Sequence, residues 1–147
     1  MKSDKKRRAL GAKKIHEVVG HTAEMVEGHL GDIAPDLATY VLEVIFGDIY
    51  QSKVLDARTR QIVTVSVLAT LGTAPNQLRT HLGGALRSGV SRKELVEIMT
   101  QLVPYAGVAS AINGVNACRD VFAAEDAKKI DKKAERKDKK EDGKTKR

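Results

Sequence analysis

The sequence predicts an all-α fold: a compact bundle of about six helices flanked by charged segments. Apolar residues recur at helical spacing through the middle of the chain, and helix caps and stops fall at its edges. Aromatic residues make up 3% of the 147 residues and Trp is absent, so the core must be built from Leu, Ile, Val, Ala and Met. Such side chains favour closely packed helices over a sandwich. These features divide the chain into a basic segment 1–12, a helical domain 13–127 and a charged basic segment 128–147.

The first helix is expected at about 13–30, with Ile15, Val18, Val19, Met25 and Val26 on one stripe. A second starts near Pro35, since proline suits a first turn where its missing N–H would be unpaired anyway. It carries Leu37, Tyr40, Val41, Val44 and Ile45. Asp56 is suited to cap a third helix that stops at Gly72. Its β-branched run Ile62-Val63-Thr64-Val65-Ser66-Val67-Leu68 also scores as a buried strand, but length and the two caps favour helix. The fourth, about 76–88, points Leu78, Leu82, Ala85 and Leu86 inward and ends at Gly89. Ser91-Arg92-Lys93-Glu94 forms a capping box for the fifth, which carries Leu95, Ile98, Met99 and Leu102. Pro104 separates it from a sixth, about 105–125, whose many Ala and Gly residues suggest close approach by another helix, internal or across a subunit interface.

Charge divides unevenly. Residues 1–14 carry a net +6 and residues 128–147 another +6, while the stretch between carries −5 within the overall +7. The basic character belongs to the ends, which argues against nucleic-acid binding by the domain itself. The final segment holds a single large apolar residue, Ile130, so disorder or a frayed helical extension is expected. It can serve as a solubilising tail or tether the chain to nucleic acid or another polyanion. The charged start is followed by no apolar run of signal or membrane-span length, and the single cysteine, Cys118, excludes an intrachain disulfide or CxxC site. A cytoplasmic protein without a membrane segment is expected, with Cys118 as a core thiol.

His81 is the first candidate for chemistry. It follows Gln77 by one turn and precedes Gly83 and Gly84, which let a backbone or a ligand approach. It can exchange protons near neutral pH, or lie half-buried and hydrogen-bonded across a helix crossing. His16, His21 and His29 are separated by five and eight residues, which is wrong for a chelate within one helix, so no metal is expected. Arg58 and Arg60 flank the start of the third helix beside Asp56 and can bind a carboxylate or form a salt-bridged helix start.

Several stretches resemble the carboxymuconolactone decarboxylase family, within the alkyl hydroperoxidase D-like superfamily. Leu55-Asp56-Ala57-Arg58-Thr59-Arg60-Gln61 is similar to its LDxRTR opening. Gln77-Leu78-Arg79-Thr80-His81, continuing through Ala85-Leu86 and the Gly89 to Leu95 run, is similar to its histidine-bearing core. Val103-Pro104-Tyr105-Ala106-Gly107, then Ala111 and Asn113, resembles its later block. The resemblance covers about residues 40–123 and implies an all-α homo-oligomer, a hexamer or trimer, without a cofactor. One branch of the family decarboxylates 4-carboxymuconolactone in aromatic catabolism; the other reduces peroxides with a CxxC pair, a histidine and an upstream glutamate.

The thiol branch is excluded here. Gln77 and Thr73 or Ala74 occupy the cysteine positions, and Gln61 stands where many relatives have Glu. Without a thiolate there is no nucleophile for a peroxide. The decarboxylase branch implies His81 as the acid, Gln61 as a hydrogen-bond donor, and Arg60, Arg58 or Arg79 as partners for the carboxylate of a small substrate. The alternative is a non-catalytic helical oligomer with polyanion-binding tails.

Overall fold

A computed structural model describes residues 3–145. Among these residues the chain forms seven α-helices and no strand. Helix α1 (Lys5–Val19) starts well before the expected boundary because Asp4 caps it, its carboxylate accepting from the N–H groups of Lys6 at 2.9 Å and Arg7 at 3.2 Å. The anticipated single helix over 13–30 is divided. Gly20 ends α1 with φ 74°, a left-handed conformation that glycine adopts without a Cβ clash. Thr22 then caps α2 (Ala23–Leu30).

Helix α3 (Pro35–Thr39) continues into a π turn, Tyr40–Ile45, where Phe46 N–H bonds to Val41 C=O at 3.1 Å. The inward face here is Ala38, Leu42, Glu43 and Phe46, while the expected Leu37 and Tyr40 are exposed. Both faces contain apolar residues, and periodicity alone could not choose between them. The choice follows from α1: a Cβ on Gly11 would lie 1.7 Å from the Leu42 carbonyl oxygen, so the two backbones approach as only a glycine allows.

The segment expected to be a basic tail is therefore integrated into the fold. Arg7 pairs with Asp48, and Arg8 pairs with Glu27 and lies 3.6 Å from Glu43. Glu43 is fully buried and accepts from Ser3 Oγ and from Asp4 N–H at 2.8 Å. Burial pushes its carboxyl upward, but these hydrogen bonds and the nearby arginines outweigh it and hold the group below the usual range.

The second half follows the expected order. Helix α4 (Ala57–Leu71) is capped by Asp56, which accepts from Thr59 N–H at 2.7 Å, and ends at Gly72 with φ 66°. Thr64 and Ser66 hydroxyls donate to carbonyls one turn back, at 2.8 Å each, so polar groups in its β-branched run are satisfied within the helix. Helix α5 (Pro75–Arg87) precedes α6 (Arg92–Gln101), whose Ser91–Glu94 capping box is present. Helix α7 (Val103–Thr145) is interrupted at Gly107, φ 82°, then runs on through the anticipated tail. The last two residues of that tail, and the first two of the chain, lie outside the described residues.

Two apolar clusters result. One, from α4 to α7, centres on Val65, Leu82, Leu95, Met99 and Cys118. The other unites α1, α2 and the α3–π segment around Ile15, Val18, Leu42 and Phe46. Within the first, Gly114 of α7 sits against Met99 of α6, where a Cβ would lie 2.4 Å from Sδ, so an internal crossing accounts for this part of the small-residue run. Cys118 is buried and its thiol is pushed up to about 11, which leaves it protonated and inert. Among the described residues, no helix is long and apolar enough to cross a membrane.

Candidate active site

The candidate site lies between the two clusters. The turn at Gly72 brings α5 back along α4, and His81 of α5 meets Gln61 of α4 across twenty residues of sequence. His81 Nδ1 lies 3.0 Å from Gln61 Oε1. An amide oxygen only accepts, so in this arrangement Nδ1 carries the hydrogen and Nε2 presents its lone pair. Gln61 is completely buried, and its Nε2 has no hydrogen-bond partner among the described residues. Burying an unpaired donor costs about 1–3 kcal/mol, a cost that proteins tend to retain at functional sites.

Gly84 makes the arrangement possible. A Cβ there would lie 2.8 Å from the Val18 carbonyl oxygen and 3.0 Å from Gln61 Oε1. The approaching backbone anticipated at the Gly83-Gly84 pair is thus α1, which packs on α5 and closes one side of the site.

His81 borders a largely apolar cavity of about 870 Å³. Ile15 and Val19 of α1, Val26 of α2, Val41 and Ile45 of the π turn, and Phe46 supply its walls. His21, His29, Tyr50, Thr64, Thr80 and Gln77 add polar groups. Volume and composition suit a small organic molecule gripped by few polar contacts. The His81 pKa is lowered to about 4, first by burial and then by the neighbouring His21 and Arg87. The free imidazole is therefore neutral at pH 7, and the acid role expected from the sequence needs an additional negative charge beside it.

His81 and Gln61 are brought together, whereas the three anticipated arginines lie outside the lining of this cavity, Arg79 lining a second one beside it. Arg58 pairs with Glu94. Arg60 donates to the carbonyls of Leu55 at 3.2 Å and Ser52 at 3.1 Å and stacks on Tyr50, 5.5 Å from the ring centre. Its connection to the cavity is therefore through Tyr50, which does line it. Arg79 is held by Asp120 at 3.0 Å and by the Pro75 carbonyl at 3.4 Å.

His21 and His29 went unrecognised as cavity residues because their spacing was judged along one continuous helix. The joint after Gly20 changes their directions, and His16 alone of the three stays outside the lining. The glycine and the Thr22 cap were the available signals.

Fold and site define a helical protein with a buried histidine–amide pair at an apolar cavity. The carboxymuconolactone decarboxylase family model matches residues 35–120, and the chain belongs to that family. It is 29% identical over 122 residues to 4-carboxymuconolactone decarboxylase from Acinetobacter baylyi, an alignment covering 82% of this chain and 90% of that one. It is also 28% identical over 95 residues to an uncharacterized 15.0 kDa protein from Paracoccus denitrificans, covering 64% of this chain and 71% of the other.

Proposed function

We propose that the protein is a cofactor-independent carboxy-lyase that removes CO2 from a small unsaturated lactone carboxylic acid, as the name of its Acinetobacter relative indicates for that enzyme. The observation that carries this reading is the His81–Gln61 pair at the wall of the apolar cavity. In such a reaction the bond between carbon and carboxylate breaks and CO2 departs. The electron pair passes into the conjugated lactone as a dienolate, which then takes a proton on carbon.

His81 supplies that proton, and Gln61 orients the ring through Nδ1. The imidazole gains its proton when the anionic substrate arrives: a carboxylate in the cavity opposes both burial and the influence of His21 and Arg87. The apolar walls lower the local dielectric and strengthen this interaction. Arg60 acts at one remove by fixing Tyr50, while Arg58 and Arg79 serve as helix ties.

We also assign the exposed apolar stripes Val63, Val67 and Leu71 on α4, and Tyr105, Val108 and Ile112 on α7, to self-association into a trimer or hexamer. The protonated core thiol suits a reducing cytoplasm.

Following 4-carboxymuconolactone by ultraviolet absorbance tests the reading. Turnover by the wild type, reduced about a hundredfold or more in His81→Ala, is expected. Equal turnover by both proteins would remove His81 from the mechanism, and none by either would remove the substrate assignment.

The rival reading, a polyanion-binding scaffold, keeps support from the basic end of α7, where Ile130 is exposed. It loses support at the other end, where Arg7 and Arg8 are already paired with acidic residues of the fold.

A further inference from the structure

A second cavity of about 630 Å³ adjoins the first. Val19, His21, Met25 and Thr80 line both, so the two share a wall. Arg87, the last residue of α5, stands in the second cavity. Its guanidinium rests against bare backbone: a Cβ on Gly20 would lie 3.3 Å from Cζ, and one on Gly83 3.6 Å from a terminal nitrogen.

What Arg87 lacks is an anion. Arg7, Arg8, Arg58, Arg79 and Arg92 each pair with a carboxylate. Among the described residues none pairs with Arg87; Glu125 acts on it only through its field. The acidic residues of the second cavity are engaged by its two other cations, Asp120 by Arg79 and Glu125 by Lys128, each at 3.0 Å. A partly desolvated guanidinium without a partner, in a cavity beside the candidate site, is a binding group for a carboxylate.

We infer that Arg87 anchors a second carboxylate of the substrate, so that a small dicarboxylate spans the two cavities with one end beside His81 and the other on the guanidinium. The inference rests on the reading of the His81 cavity as an acid-binding site. It adds a residue that none of the family-like motifs includes, and it requires the ligand to pass His21, which lines both cavities. It also links binding to chemistry. The positive charge of Arg87 is one of the influences that keep His81 neutral, together with burial and His21. A carboxylate seated on Arg87 cancels that charge just as the substrate arrives.

The test uses the full chain and two stable probes, adipate and its monomethyl ester. Calorimetry measures affinity, and the imidazole NMR signals of His81 and His21 report the place of binding. Wild type should bind adipate more tightly than the ester. Arg87→Met, which keeps the aliphatic stem, should weaken adipate about tenfold to a hundredfold and leave the ester within about twofold. Arg87→Lys should recover part of the loss, which a merely unfolded variant would not. If Arg87→Met binds adipate as wild type does while the His81 signal still shifts, the anchor is overturned and the acid-binding cavity stands. If adipate leaves the His81 signal of wild type unmoved, the acid-binding cavity falls, and the anchor with it.

Discussion

At the scale of single residues, His81 meets a neutral amide at position 61 rather than a charge. A carboxylate there would stabilise the imidazolium; Gln61 offers only an oxygen to Nδ1, and burial then dominates. Gln61→Glu should raise the His81 pKa from about 4 by one unit or more, read from the pH titration of its NMR signal. No upward movement would show that the 61–81 contact does not control the ring. The same depression makes stability pH-dependent. Unfolded, His81 takes its proton near 6.5; folded, only near 4. Between those values the unfolded chain binds the extra proton, so stability falls as pH drops through this window, by on the order of 3 kcal/mol in all. Chemical denaturation from pH 7 to 4.5 should give a shallower fall in His81→Gln than in wild type.

At the scale of elements, the N-terminal turn of α1 acts as a clasp on the π turn, and through it on the cavity wall. Glu43 is buried beside Ser3, Asp4 and Arg8, and its neighbours Val41 and Ile45 line the cavity. Removing residues 1–8 should therefore lower the thermal midpoint, because it strips Glu43 of the hydrogen-bond donors and the arginine that hold its carboxylate. Glu43→Gln should restore part of the stability in the shortened chain. An unchanged midpoint after truncation would return this segment to the status of a tail. Gly11→Ala belongs to the same element and should be strongly destabilising by thermal melt, because the Leu42 carbonyl occupies the space its methyl needs.

At the scale of the whole molecule, the apolar stripes on α4 and α7 and the charged end of α7 make separable predictions. A Val67→Glu, Ile112→Glu double variant should reduce the mass measured by light scattering while keeping the helical signal. A monomeric wild type would dispose of the assembly assignment. Removing residues 128–147 should leave the melting midpoint close to that of the full chain, since Ile130 is exposed and Lys128 pairs with Glu125, three residues away on the same helix. Any polyanion binding should disappear with that segment and weaken with added salt.

The local features of the second half were legible in the sequence because each depends on residues within a turn of one another. Asp56 with Thr59, Ser91 with Glu94, and Gly72 at a helix end satisfy backbone groups wherever the rest of the chain goes. His81 stands out by its own chemistry and Gln61 through the motif resemblance, but their 3.0 Å contact depends on how α4 and α5 pack. Tertiary structure alone decided the rest. The exposed face of the α3–π segment was set by Gly11 against Leu42, and the place of Arg8 by a carboxylate thirty-five residues away. The direction of His21 followed from the turn at Gly20. The isolation of Arg87 followed from acids that had found other partners. Spacing along a chain determines neighbours within a helix; which side chains meet between helices, and which charge is left without a partner, is determined by packing.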